Sequence, residues 1–174
     1  MTHRIELILV DRSNDVVDAW RGAFAGNPNV RIQHGDILKF ADDAIVSPAN
    51  SYGYMDGGID LRYVAYFGVE IQQRVQSAIR RRPEGHLPIG AAVLVSTGDV
   101  RIPHLIVTPT MAEPGPVPAS NAYRALRAAL RLVTNETRIE RLYCPGLATG
   151  VGQVRPVDAA TEMACAFADW RETT

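Results

Sequence analysis

The chain has 174 residues, 47% of them hydrophobic, enough for one globular domain with a substantial core. Its net charge of -1 supplies no broad basic field to draw it to nucleic acid or an anionic membrane. All but one of the 18 basic residues are arginine, the exception being Lys39, so no Gly-Lys-Ser/Thr phosphate loop can be built.

Arg4–Val10 alternates and then runs apolar, which predicts a strand. Ser13 is placed to cap a helix whose Val16, Val17, Trp20 and Phe24 share one face. Val30–His34 predicts a short strand stopping at Gly35-Asp36, and Ala44–Ser47 a third that enters a loop, Pro48 to Ile59, holding Asn50 and the pair Gly57-Gly58. From Asp60 a helical spacing runs through Leu61, Val64, Ala65, Ile71, Val75 and Ile79. Gly68 interrupts it, predicting two short helices or one kinked helix. Arg80-Arg81-Arg82 closes the pattern before Pro83, where positive charge suits a helix C-terminus.

Ala91–Ser96 and Leu105–Thr108 predict two further strands. Prolines 109, 114, 116 and 118 then mark a surface loop ending at Ala119. Ser120 or Asn121 begins a helix with Leu126, Ala129, Leu130 and Val133 inward. Ile139–Cys144 is the last strand and feeds a second glycine loop, Pro145 to Gln153. Pro156 suits the first turn of a final helix, whose buried stripe is predicted as Val157, Ala160, Met163, Ala164, Phe167 and Trp170.

Interleaved strands and helices predict a three-layer α/β/α domain over residues 1–174 with a mixed, largely parallel central sheet. No run approaches the roughly 18 apolar residues of a membrane span, and the charged Asp11-Arg12 excludes a signal peptide. Cys144 and Cys165 lack metal-ligand spacing, which points to reduced thiols in a cytoplasmic protein. His3, His34, His86 and His104 are scattered without metal spacing; His34, at a strand end, is a weak candidate for the surroundings of a pocket.

In such sheets ligands bind beyond the carboxyl ends of the strands. Both glycine loops and Asp36 follow strand ends, so they are expected to converge on one edge. Glycines let backbone N–H groups crowd an anion, and a helix N-terminus adds positive potential; two such loops suggest a ligand with linked phosphates. The individual side chains leave alternatives open. Asp36 suits a turn or helix cap, or an acceptor for an exocyclic amino group. Asn50 is an ordinary loop residue or a ribose contact. Asp60 is a helix N-cap, or a general base or carboxylate beside an anomeric carbon, a part that Asp56 could share.

Together these stretches resemble the macrodomain family, which binds ADP-ribose. Gly35-Asp36-Ile37, Ala44-Ile45-Val46 and Ala49-Asn50-Ser51 look like its first signature. Gly57-Gly58-Ile59-Asp60 resembles its glycine loop, and Ala148-Thr149-Gly150-Val151-Gly152 its second phosphate loop. The resemblance implies that Asp36 holds the adenine amino group with help from the Ile37 backbone, and that Asn50 contacts the distal ribose. It places Gly57, Gly58 and Ile59 on one side of the diphosphate and Thr149, Gly150, Val151 and Gly152 on the other. In hydrolytic members the aspartate matching Asp60 helps activate water or position the distal ribose, and release of ADP-ribose from an adduct is then the expected activity. A reader module without turnover, and a phosphatase acting on ADP-ribose 1″-phosphate, are the alternatives. The expected partner is ADP-ribose or an ADP-ribosylated substrate, with nucleic acid entering only as a modified substrate; no cofactor, metal or membrane is implied.

Overall fold

Side chains alternate across β1 (Glu6–Asp11), and that alternation divides the core. Leu7 and Leu9 pack into one apolar cluster and Ile8 and Val10 into a second, on opposite faces of the sheet. The computed structural model describes residues 4–174; His3 lies outside them. After β1 come α1 (Asn14–Ala23), β2 (Val30–His34), α2 (Ile37–Phe40), β3 (Ala44–Ser47), α3 (Gly58–Phe67) and α4 (Glu70–Arg80). They are followed by β4 (Val93–Ser96), β5 (His104–Val107), α5 (Ser120–Thr134), β6 (Arg141–Cys144) and α6 (Pro156–Glu172).

The six strands form one sheet in the order β2-β1-β6-β3-β5-β4. All neighbours run parallel except the edge pair β4–β5, which is antiparallel. Helices α1, α5 and α6 cover one face through residues such as Trp20, Leu126, Leu130, Met163 and Phe167. Helices α2, α3 and α4 cover the other through Ile37, Tyr63, Ile71, Val75 and Ile79. The fold is therefore the expected α/β sandwich with a mixed, mostly parallel sheet.

Some sequence expectations hold in detail and others change. Ser13 caps α1, its Oγ accepting the Val16 N–H at 3.4 Å. Gly68 does split the helical run, closing α3 at φ 98°, a conformation that favours glycine. Val157 is 65% exposed and does not belong to the buried stripe of α6, and Leu61 of α3 is 51% exposed. Both stand in the first turns of their helices, beside the buried Asp60 and Ala159, so they point away from the face that packs on the sheet.

Asp43, just before β3, ties the sheet across its middle. Its buried carboxylate accepts the Glu140 and Arg141 N–H groups at 2.8 and 2.9 Å, fixing the entry of β6 beside β3. Asp43→Ala removes both acceptors and is expected to cost about 2 kcal/mol of stability, read as a lower urea midpoint with unchanged m-value.

Candidate functional site

Beyond the carboxyl ends of β1, β2, β3 and β6 the chain encloses a cleft of about 780 Å³. Gly57, Gly58, Ile59 and Asp60 line one side, and Ala148, Thr149, Gly150, Val151 and Gly152 another. Gly35, Ile37, Asn50 and Asp56 also border it. The structure thus brings the two glycine loops and the end of β2 to one place.

Asn50 builds the first loop. Its side-chain Oδ1 accepts the N–H groups of Tyr52 and Tyr54 at 3.1 and 3.2 Å, and its Nδ2 donates to the Tyr54 carbonyl at 2.8 Å. This is an Asx-type turn in which the amide shapes the backbone, leaving one N–H of the side chain uncommitted. Further along, the buried Met55 donates its N–H to Gln72 Oε1 at 2.7 Å, anchoring the loop to α4. Gly57 is the N-cap of α3 and supplies no side-chain cap, so the first-turn N–H groups of α3 have no side-chain partner there. Gly58 sits at φ 57°, in left-handed territory.

The second loop is held from within and from β1. Val154 and Gln153 donate to the Ala148 and Gly150 carbonyls, each at 3.0 Å, while Ala148 and Gln153 take positive φ of 63° and 56° without being glycines. Asp11, at the end of β1, accepts the Gly146 N–H at 2.9 Å. A Cβ on Gly152 would lie 2.7 Å from the Ala148 carbonyl oxygen, so this glycine is required by the packing of the loop itself. Gly57 and Gly150 differ: a Cβ on either would meet nothing within 4 Å, and neither has positive φ. The proline-rich loop joins the same wall, with Val117 donating to the Gly152 carbonyl at 3.0 Å and Pro114 lining the cleft.

Asp36 caps α2, its Oδ1 accepting the Leu38 N–H at 3.1 Å, as the local sequence allowed. Two arginines also engage it: Arg12 reaches Oδ2 at 2.7 Å, and Arg62 of α3 bonds Oδ1. Burial alone would raise this carboxyl, but the hydrogen bonds from Arg12 and Leu38 and the charges of Arg62 and Arg12 together hold it below the usual carboxylate value. Gly35 and Ile37 on either side of Asp36 line the cleft.

Asp60 is not the N-cap of α3; that position belongs to Gly57, and Asp60 follows within the first turn. Its carboxyl is 6% exposed and accepts a hydrogen bond from Ser47 Oγ at 2.6 Å. Burial pushes it up to about 6, with the Ser47 hydrogen bond opposing. A carboxyl on the cleft floor with that proton affinity exchanges a proton near neutral pH, which suits general acid–base work. Asp56, by contrast, is exposed on the loop. Among the described residues no cluster of three or more side chains could hold a metal, and no helix is long and apolar enough to cross a membrane.

Sequence reasoning passed over Asp11, Arg12, Arg62 and Ser47. Asp11 ends β1 and Arg12 follows it at the carboxyl edge, the one signal available for this pair. Arg62 and Ser47 reach their partners 26 and 13 residues away, which no local pattern reveals.

The profile of the Macro domain family matches residues 46–163. A protein of Aeropyrum pernix, itself uncharacterized, is 36% identical over 142 residues, covering 81% of this chain and 71% of the relative. Among solved structures, the macrodomain of Mycobacterium tuberculosis DarG aligns with a TM-score of 0.66 and 26% identity, over 78% of this chain and 87% of that one. Thermosipho africanus DarTG, solved in complex with ADP-ribose, shares the fold at a TM-score of 0.63 and 16% identity, over 90% of this chain and 48% of its own.

Proposed function

This chain belongs to the macro domain family, and from that premise we propose that it binds ADP-ribose in the cleft and hydrolyses ADP-ribosyl adducts. One observation carries the reading: two glycine loops, each with a glycine the fold does not demand, line one cleft beside the buried Asp60. The diphosphate lies between residues 57–59 and 149–152, met by backbone N–H groups and the N-terminus of α3. Adenine sits towards Gly35-Asp36-Ile37, with Asp36 held between Arg12 and Arg62. The distal ribose then lies near Asn50, Asp56 and Asp60. The occurrence of ADP-ribose in the related DarTG fold supports the same ligand here.

In the hydrolytic step, water attacks the anomeric carbon of the distal ribose while the bond to the modified group breaks. The leaving group takes the bonding pair and Asp60 takes the proton of the attacking water. The carboxylate also stabilises positive charge that builds on the sugar ring. Residues 1–174 act in this proposal as one domain, and the free thiols of Cys144 and Cys165 suit the reducing cytoplasm.

A non-catalytic reader is the second reading, favoured by the commitment of the Asn50 amide to its own loop. Turnover separates the two. Mono-ADP-ribosylated protein and nucleic-acid substrates are expected to release free ADP-ribose at least about a hundredfold faster with the wild-type chain than with Asp60→Asn. Binding without release from either substrate class establishes the reader instead.

A further inference from the structure

The residue that governs Asp60 stands on the strand beneath it. Ser47 ends β3, is fully buried, and its backbone carbonyl accepts the N–H of Thr108, just past the neighbouring β5, at 3.0 Å. Its hydroxyl is the only hydrogen-bond donor to Asp60 among the described residues, at 2.6 Å. We propose that Ser47 is a positioning residue whose hydroxyl fixes the Asp60 carboxyl on the cleft floor and stabilises its charged form. The proposal rests on the reading of Asp60 as the group that handles the proton of the attacking water.

The other ionisable groups around this carboxyl are committed elsewhere. Tyr63, one turn further along α3, donates its hydroxyl to the Val46 carbonyl at 2.9 Å. Arg62 is paired with Asp36. Asp11 of β1 accepts the Gly146 and Ser13 N–H groups, and burial pushes the Cys144 thiol of β6 far up, so it stays neutral. Asp56 borders the same cleft from the loop and is exposed. Among the described residues no cation is thus paired with Asp60, and there the Ser47 hydroxyl alone offsets the cost of charging a carboxyl that is 6% exposed. Bonding only Oδ1, it leaves Oδ2 for water or ribose.

Loss of a hydrogen bond to a charged carboxylate is expected to displace its midpoint by about one to two pH units. Carbon-13 NMR titration of the Asp60 carboxyl in the full chain reads this directly. The wild type is expected to titrate near 6. Ser47→Ala is expected to displace the midpoint upward by about one unit or more, and Ser47→Thr to restore it. The acid limb of the kcat/KM profile on an ADP-ribosylated substrate is expected to move with that midpoint, whereas a merely structural role lowers the amplitude and leaves the limb in place. An unmoved midpoint in a folded Ser47→Ala overturns the proposal whatever the turnover. A displaced midpoint in a chain without turnover upholds the control of Asp60 by Ser47 and rejects only the hydrolytic reading.

Discussion

Gly150→Glu and Gly57→Glu are each expected to weaken ADP-ribose binding at least about a hundredfold while the protein stays folded. The fold tolerates a side chain at both positions, because a Cβ meets no protein atom within 4 Å and neither backbone has positive φ. Gly57 is extended, with φ −152° and ψ 165°, which any residue adopts. Both line the cleft, so the new side chain occupies the space proposed for the diphosphate. The added carboxylate also repels it: like charges about 4 Å apart at an effective dielectric of about 20 cost about 4 kcal/mol, more than the factor of a hundred requires. Calorimetric titration of the variants, beside their thermal midpoints, checks this. Unchanged affinity in both, with intact folds, rejects a diphosphate between the two loops.

Asp60→Asn is expected to stabilise the protein at neutral and alkaline pH and to do little in acid. The folded-state carboxyl titrates near 6 against an ordinary value of 3.8, so the native protein holds this proton more tightly than the unfolded chain does. The stability linked to it is fully present below about 4 and is lost as pH rises through about 6. Above that, charging a buried carboxylate costs about 3 kcal/mol relative to the protonated form. Asparagine never ionises, and its carbonyl still accepts the Ser47 hydroxyl. Urea unfolding at pH 4 and pH 8 is expected to show a gain of up to about 3 kcal/mol at the higher pH only. The same difference at both values means that Asp60 does not carry a raised proton affinity. A site residue whose removal stabilises the fold is the signature expected of one held for activity.

The layers of the fold were legible because periodicity survives in the long elements. The bounds of β2 and β3 fall as the sequence predicted, and α5 begins at Ser120, one of the two starts it offered. The four-residue α2 escaped because one helical turn has no period to read. Its only trace was Asp36, whose capping role the sequence did offer. Asp60 misled for a related reason: aspartate before an apolar helix reads as a cap, yet the helix starts at Gly58 because glycines admit the turn. The glycine loops announced the cleft, while the side chains that condition its chemistry did not. Arg12 and Arg62 meet Asp36, and Ser47 meets Asp60, only through the sheet and α3, contacts that exist in three dimensions and not along the chain.

The central claim is that one cleft takes both halves of ADP-ribose at once, and calorimetric titration with ADP-ribose, AMP and ribose 5-phosphate tests it most directly. Binding of ADP-ribose at least about a hundredfold tighter than either fragment is the predicted result, since the adenosine end and the two loops then act on one ligand. Affinity for AMP equal to that for ADP-ribose, or no binding of any of the three, contradicts it.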